Sequence, residues 1–220
     1  MRGQSWVHIG QESLSTDMWS GGTTTQLAIY PETADYAARN FMWRLSTATI
    51  ETQQSVFTPL PGFRRILMVL KGELELDHEG RHHSMLKPFR QDRFEGEWRT
   101  VSSGLVTNFN LIFAEECNAE LICLDIPPRE EISLAAPLSS QKGVTRLSRV
   151  LYAADGDLEI GIGGDGGGTC LLKAGELLLA ATESERPSAL PLLTIVNRGQ
   201  GSVQLLDVQI SMPQQIGEQS

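Results

Sequence analysis

Cysteine, histidine and aromatic side chains are scarce in this chain, and positive charge is outnumbered. The three cysteines, Cys117, Cys123 and Cys170, form no C-x-x-C pair, so neither a disulfide framework nor a zinc ribbon is expected. The four histidines end at His83, which leaves the second half without an imidazole. Eighteen basic against 27 acidic residues give a net charge of −9 with no basic block. That balance excludes the electrostatic footprint of a nucleic-acid binder. No run approaches the roughly 18 apolar residues of a membrane span. The opening MRGQSWVHIGQESL carries no apolar signal core, so a cytoplasmic protein without a membrane partner is expected. There is no G-x-S-x-G elbow and no Walker A loop.

What is present is apolar sequence with a period of two. Hydrophobic residues make up 40% of the chain, enough to bury a substantial core. Residues 64–77, RRILMVLKGELELD, read as two strands around a Lys71-Gly72 turn. Similar runs recur at 24–30, 41–50, 97–101, 107–113 and 119–126, then at 144–152, 157–162, 169–173, 177–182, 192–197 and 202–210. Short strands at this spacing predict an all-β sandwich or barrel fold. The one helix candidate is Glu32 to Arg39. A weak repeat pairs Phe94–Trp98 with Lys173–Leu177, Asn108–Phe113 with Leu192–Asn197, and Cys123–Asp125 with Leu205–Asp207. It suggests two fused β-barrels, at 1–126 and 140–212, with a linker at 127–139 and a polar tail at 213–220.

Two motifs imitate known chemistry. His78-Glu79-Gly80-Arg81-His82 matches H-E-x-x-H, but that zinc site needs a helix to bring residues i and i+4 to one metal. Strand-like flanks and Gly80 place it at a hairpin tip instead, with His78, His82 and His83 expected in solvent. A barrel-wall metal set of several histidines also lacks its ligands, so no metal and no other cofactor is expected. Gly161–Gly166 fits G-x-G-x-x-G, yet a strand rather than a helix follows, and a dinucleotide site needs the helix N-terminus.

The informative polar residues lie inside strands. In Trp43–Ile50 alternation puts Arg44, Ser46, Ala48 and Ile50 on one face, and in Thr107–Phe113 it groups Asn108, Asn110 and Ile112. Arg65 opens the strand entered through Pro61-Gly62. If these faces turn inward, the arginines present bidentate donors to a small carboxylate and the asparagines add selective hydrogen bonds. If they turn outward, Arg44 and Arg65 pair with Glu51, Glu73 or Glu75, and the asparagines satisfy backbone groups. The residues alone leave both arrangements open.

The same residues carry a resemblance. The blocks Met18-Trp19-Ser20-Gly21-Gly22-Thr23-Thr24-Thr25-Gln26-Leu27, Trp43-Arg44-Leu45-Ser46-Thr47-Ala48, Phe57-Thr58-Pro59-Leu60-Pro61-Gly62-Phe63-Arg64-Arg65 and Asn108-Phe109-Asn110-Leu111 resemble, in order, the pattern of the HutD/Ves family. The resemblance implies a bicupin, two cupin barrels without a metal triad. HutD members are associated with histidine utilisation in a regulatory role and with a pocket for formylglutamate or a similar acid; Ves members are linked to stress or cold response. Carried across, it implies ligand-binding roles for Trp19, Arg44, Arg65, Asn108 and Asn110. Ser20 stands where the family has Asn, Thr58 where it has Ser, and Asn108 where it has Asp; the last change leaves the pocket more positive or the ligand changed. The reading is a non-enzymatic binder or regulator of small carboxylates. The alternatives are a cupin-type enzyme, such as an isomerase or oxygenase, and a scaffold for a partner protein. Exposed sheet edges give the chain reason to form a homodimer.

Overall fold

The computed structural model describes residues 6–135, 144–163, 167–183 and 191–213. Among them, nineteen strands and one short 3-10 turn form, and every strand pairing is antiparallel. The all-β expectation holds. No helix among the described residues is long and apolar enough to cross a membrane. In chain order the first strand is β1 (Trp6–Ile9). Next come β2 (Ser15–Trp19), β3 (Gly22–Tyr30), β4 (Trp43–Ile50), β5 (Gln54–Val56), β6 (Phe63–Lys71), β7 (Leu74–His78), β8 (His83–Leu86), β9 (Gln91–Glu95), β10 (Thr100–Ser103) and β11 (Val106–Ala114). The remaining strands are β12 (Asn118–Ile126), β13 (Glu131–Leu134), β14 (Val144–Ala153), β15 (Leu158–Ile162), β16 (Thr169–Leu172), β17 (Leu177–Glu183), β18 (Leu193–Val196) and β19 (Val203–Pro213).

The chain divides into two compact units, Leu14–Glu115 and a second made of Met1–Ser13 with Glu116–Ser220. Each contains two facing sheets. In Leu14–Glu115 the order β2-β3-β4-β11-β6-β9 faces β5-β10-β7-β8. Alternation turns Leu67, Val69, Leu74, Leu76, Leu86 and Phe94 into the space between them. In the other unit β1-β17-β14-β19-β12 faces β13-β18-β15-β16, with Leu151, Leu158, Ile160, Leu178, Ile195 and Leu205 in the core. Fully burying one such side chain stabilises by about 1.5–3 kcal/mol.

The two units share a strand plan. The order β4-β11-β6-β9 corresponds to β12-β19-β14-β17, and β5-β10-β7-β8 to β13-β18-β15-β16. This equivalence differs from the repeat expected from the letters. Cys123–Asp125 and Leu205–Asp207 lie on β12 and β19, hydrogen-bonded neighbours in a single sheet. Asn108–Phe113 lies on β11, whose counterpart is β19 rather than the strand at Leu193–Val196. Apolar strands of similar length match by composition, and topology alone identifies true counterparts. The division also falls at 115 rather than at the expected 126, because β12 completes its hydrogen bonds on β19. Part of the expected linker forms a strand, β13, paired with β18; linker residues 136–139, most of the tail and the tip of the Gly161–Gly166 loop lie outside the described residues.

The expected helix at Glu32–Arg39 is absent. Asp35 accepts the Ala38 N–H on its side chain, and the Asn40 side chain accepts the Asp35 N–H. Arg39 adopts a left-handed conformation, φ 56°. Short polar side chains offering local hydrogen bonds compete with the helix, and here they win.

β1 is held to β17 by its ladder and by His8, whose Nε2 lies 2.8 Å from the Glu176 carboxylate. Burial pushes the Glu176 carboxyl up, but the Lys173 N–H, 3.0 Å away, and the His8 imidazole outweigh it and hold the group below the usual glutamate value. The folded state therefore binds fewer protons than the unfolded chain in acid. The stabilisation is complete above the unfolded glutamate value and is lost as pH falls through the lowered folded one. Glu176→Gln is expected to reduce stability by about 1–2 kcal/mol at neutral pH and to flatten the acid limb of a urea-midpoint-against-pH curve. An unchanged limb would count against this role.

Candidate functional site: an arginine-lined cavity

The unit Leu14–Glu115 encloses a cavity of about 400 Å³ between its two sheets. Alternation along β4, β6 and β11 builds the floor. The register sets Arg44 opposite Ile112 and Ile112 opposite Arg65, so both arginines flank one isoleucine. The next row holds Ser46, Asn110 and Leu67, and the one after it Ala48 and Asn108. The inward arrangement is the observed one: Arg44 is 6% exposed and Arg65 4%.

Arg65 lies at the cavity wall. Its Nη2 donates to the Thr58 carbonyl, and its guanidinium carbon sits 5.4 Å from the centre of the Phe57 ring. The Phe57–Arg65 block thus turns back on itself to seat the arginine. Arg65 Nε and Asn110 Oδ1 are enclosed, yet neither has a hydrogen-bond partner within the protein. Among the described residues neither Arg44 nor Arg65 forms an ion pair; the glutamates considered as partners lie elsewhere, Glu75 for instance pairing with His83 at 2.7 Å. Burial pushes both guanidinium groups below the ordinary arginine value; Tyr36 offsets part of the effect at both and the Asp17 carboxylate part of it at Arg44, while the charge of Arg44 lowers Arg65 further. With Arg65 in its lining and no carboxylate beside it there, the cavity wall is electropositive.

Trp19, Arg65, Asn108 and Asn110 line the cavity as expected, but Arg44 does not reach it. The Tyr36 ring lies 4.4 Å from the Arg44 guanidinium carbon and covers it. Arg44 Nε donates to Gln26 Oε1 at 2.8 Å and Nη1 to Ser46 Oγ at 3.2 Å. Arg44 therefore acts on the cavity through its field. Tyr36 itself lines the cavity and was missed, because it sits in the non-helical turn where no periodicity points to an inward face.

Trp19 forms the rim, 40% exposed, its Nε1 donating to Thr24 Oγ1 at 3.2 Å. The two glycines after it have steric causes. A Cβ on Gly21 would lie 2.0 Å from the Trp19 ring, and one on Gly22, at φ +147°, would lie 1.9 Å from the Thr49 carbonyl oxygen.

These blocks occupy the stretch of chain that a sequence model of the HutD family matches, residues 11–194. The chain belongs to the HutD family. No curated protein matches its sequence. Among solved structures, this HutD-family chain is similar to PA5104 from Pseudomonas aeruginosa PAO1, a conserved protein of unknown function: TM-score 0.73, 19% identity, 94% of this chain and 98% of that one. It is similar to HutD from Pseudomonas fluorescens SBW25, in a formate condition, with TM-score 0.64, 16% identity and coverage of 96% and 100%. The oxalate decarboxylase of Lactobacillus farciminis, as a formate complex, gives TM-score 0.64, 10% identity and coverage of 94% and 86%. At these identities the likeness is one of fold, which is all-β and cupin-like.

A second polar cluster corrects the sequence reading. The H-E-x-x-H segment does form a hairpin tip, with Gly80 at φ +68°, but His78 is not in solvent. It is 1% exposed, with Nδ1 2.8 Å from Thr100 Oγ1 and Nε2 3.1 Å from the Asp92 carboxylate.

Proposed function

We propose that this HutD-family protein is a cytoplasmic, non-enzymatic binder of a small carboxylate, seated in the cavity of Leu14–Glu115 and serving a regulatory role in amino-acid catabolism. The observation that carries the reading is Arg65: a buried guanidinium at a cavity wall, with a free Nε–H and no counter-charge. A buried cation without a partner is costly, and a carboxylate arriving beside it would supply both charge and acceptor oxygens. Asn110 Oδ1 would accept from a donor on the same ligand, while Trp19 and Phe57 offer apolar walls.

The lining also supports binding without chemistry. It contains hydroxyl and amide groups with Arg65, but no histidine, cysteine, lysine or carboxylate among its members. A general base for Ser55, Thr58 or Tyr36 is therefore not offered by the cavity wall. Formate appears with two proteins of this fold, which agrees with a carboxylate-sized guest. The family resemblance directs the choice of ligand towards formylglutamate.

Calorimetric titration with formylglutamate, glutamate, urocanate and formate tests the proposal. One saturable site per chain for at least one of these acids is expected, with the amide of glutamate's alcohol analogue giving none. Absence of heat from all four acids would refute it.

A further inference from the structure

We propose that His78, His82 and Asp92 form a binding site for one zinc ion, independent of the arginine cavity. The four-residue turn after β7 folds His82 back over His78. The His78 N–H donates to the His82 carbonyl at 3.0 Å and the Arg81 N–H to the His78 carbonyl at 2.8 Å, which sets the two imidazole centres 4.4 Å apart. The i, i+4 spacing thus meets across a hairpin rather than along a helix. β9 brings Asp92 to the same point: one carboxylate oxygen lies 2.9 Å from His82 Nε2 and 3.1 Å from His78 Nε2. All three donor atoms lie within 4.8 Å of one another.

Distances and chemistry both suit zinc. Arms of about 2.0–2.1 Å at tetrahedral angles separate ligand atoms by about 3.3–3.4 Å, so small outward shifts of the two N···O contacts admit the ion. Two imidazoles and one carboxylate form a mixed nitrogen and oxygen set. Zinc favours such a set, whereas calcium and magnesium prefer oxygen throughout. Three protein ligands leave a fourth position, and the half-exposed His82 places it towards solvent.

The surroundings of His78 are those of an oriented ligand. Its side chain is wholly buried, framed by Phe94 at 4.5 Å and Trp98 at 5.7 Å between ring centres. Thr100 Oγ1 lies 2.8 Å from His78 Nδ1 and can accept its proton, which gives the tautomer with a free Nε2 a fixed partner. In that tautomer Nε2 is unprotonated and free to ligate an ion beside the Asp92 carboxylate. Metal-bound histidines are held in this way through their second nitrogen. Arg81 is drawn aside onto the Trp98 ring, 5.3 Å from its centre.

The test uses the full chain stripped with a chelator and titrated with zinc alone. One equivalent is expected to bind to the wild type. Asp92→Asn and His82→Ala are expected to weaken binding by at least about 100-fold, the upper end of what loss of a mere supporting contact costs. His83→Ala, whose imidazole pairs with Glu75 instead, is expected to bind as the wild type does. His82 and Asp92 are tested in place of the buried His78 because truncating His78 threatens the core. Nitrogen-15 imidazole spectra give a second readout in the unmutated chain: zinc should shift His78 and His82 and leave His8 and His83 in place. No stoichiometric binding, full binding by either variant, or shifts confined to His8 or His83 would overturn the site.

Discussion

Replacing Arg65 by methionine is expected to weaken carboxylate binding by more than an order of magnitude and at the same time to raise the melting temperature of the ligand-free protein. The two effects share one cause. Arg65 is 4% exposed, has no ion-pair partner among the described residues, and feels the charge of Arg44. Its cost falls on the fold, and its benefit arises when an anion binds. Loss of a buried charged partner from an interaction costs about 2–5 kcal/mol of binding, roughly a 30- to 4,000-fold weakening at 1.4 kcal/mol per decade. Methionine keeps the apolar length of the stem and removes the desolvated cation, so the empty protein should gain about 1 kcal/mol or more, net of the lost bond to the Thr58 carbonyl. Arg44→Met is the comparison, since Tyr36 separates Arg44 from the cavity; it should weaken binding far less. Calorimetry and thermal melting on the same preparations check both halves. An Arg65→Met protein that binds as tightly as the wild type would remove the basis of the proposed function.

The second large effect lies in the other unit, where the same architecture holds an arginine that is neutralised. Arg149 on β14 donates from Nε and Nη2 to the two oxygens of Asp207 on β19, both at 2.8 Å, and from Nη1 to the Ala135 carbonyl at 2.8 Å. Both side chains are almost wholly buried, at 2% and 4% exposure. Gln209 adds a further donor to Asp207 at 2.9 Å. Asp207→Asn is expected to cost about 3–5 kcal/mol of stability, because the guanidinium then stays buried without its counter-charge. Arg149→Met combined with Asp207→Leu should recover most of that loss, since the desolvation of both ions disappears together. Urea denaturation of Arg149→Met, Asp207→Leu and the double variant measures the coupling. Additive losses, without recovery, would show that the pair is not the interaction described here.

The contrast between the units explains why one is read as a binding site. β14 and β19 are the counterparts of β6 and β11. One pair of strands carries Arg149 against Asp207, a closed ion pair; the other carries Arg65 one row from Asn110, whose neutral amide leaves the cation unneutralised. By register Asn110 stands one row from Arg65 as Asp207 stands one row from Arg149, so the position that holds a carboxylate in one unit holds a neutral amide in the other.

Much of this was legible in the letters. Alternation in Trp43–Ile50 assigned Arg44, Ser46 and Ala48 to one face of their strand and that in Thr107–Phe113 assigned Asn108 and Asn110 to one face of theirs, and the register brings the two sets onto the same side of the sheet. The blocks Met18–Leu27 and Phe57–Arg65 were legible only through their resemblance to a family pattern; that Gly22 stands against the Thr49 carbonyl came from the structure. Tyr36 was not legible, because its position follows from a turn stabilised by Asp35 and Asn40 rather than from any period. Nor was the environment of His78. Gly80 announced the hairpin, but nothing in the spacing announced that Asp92, Phe94 and Trp98 would close over it.

By itself, then, the amino-acid order determined strand content, the face on which each side chain stands and the shortage of ligands along any single strand. These are properties of local geometry, set by a two-residue repeat and by turn residues. Tertiary structure decided which buried charges are neutralised, which residue covers Arg44, where one compact unit ends, and that two histidines and an aspartate meet. Each depends on side chains from separate strands arriving within a few ångströms, and pairing between distant segments is chosen by the free energy of the whole core rather than by any stretch of it.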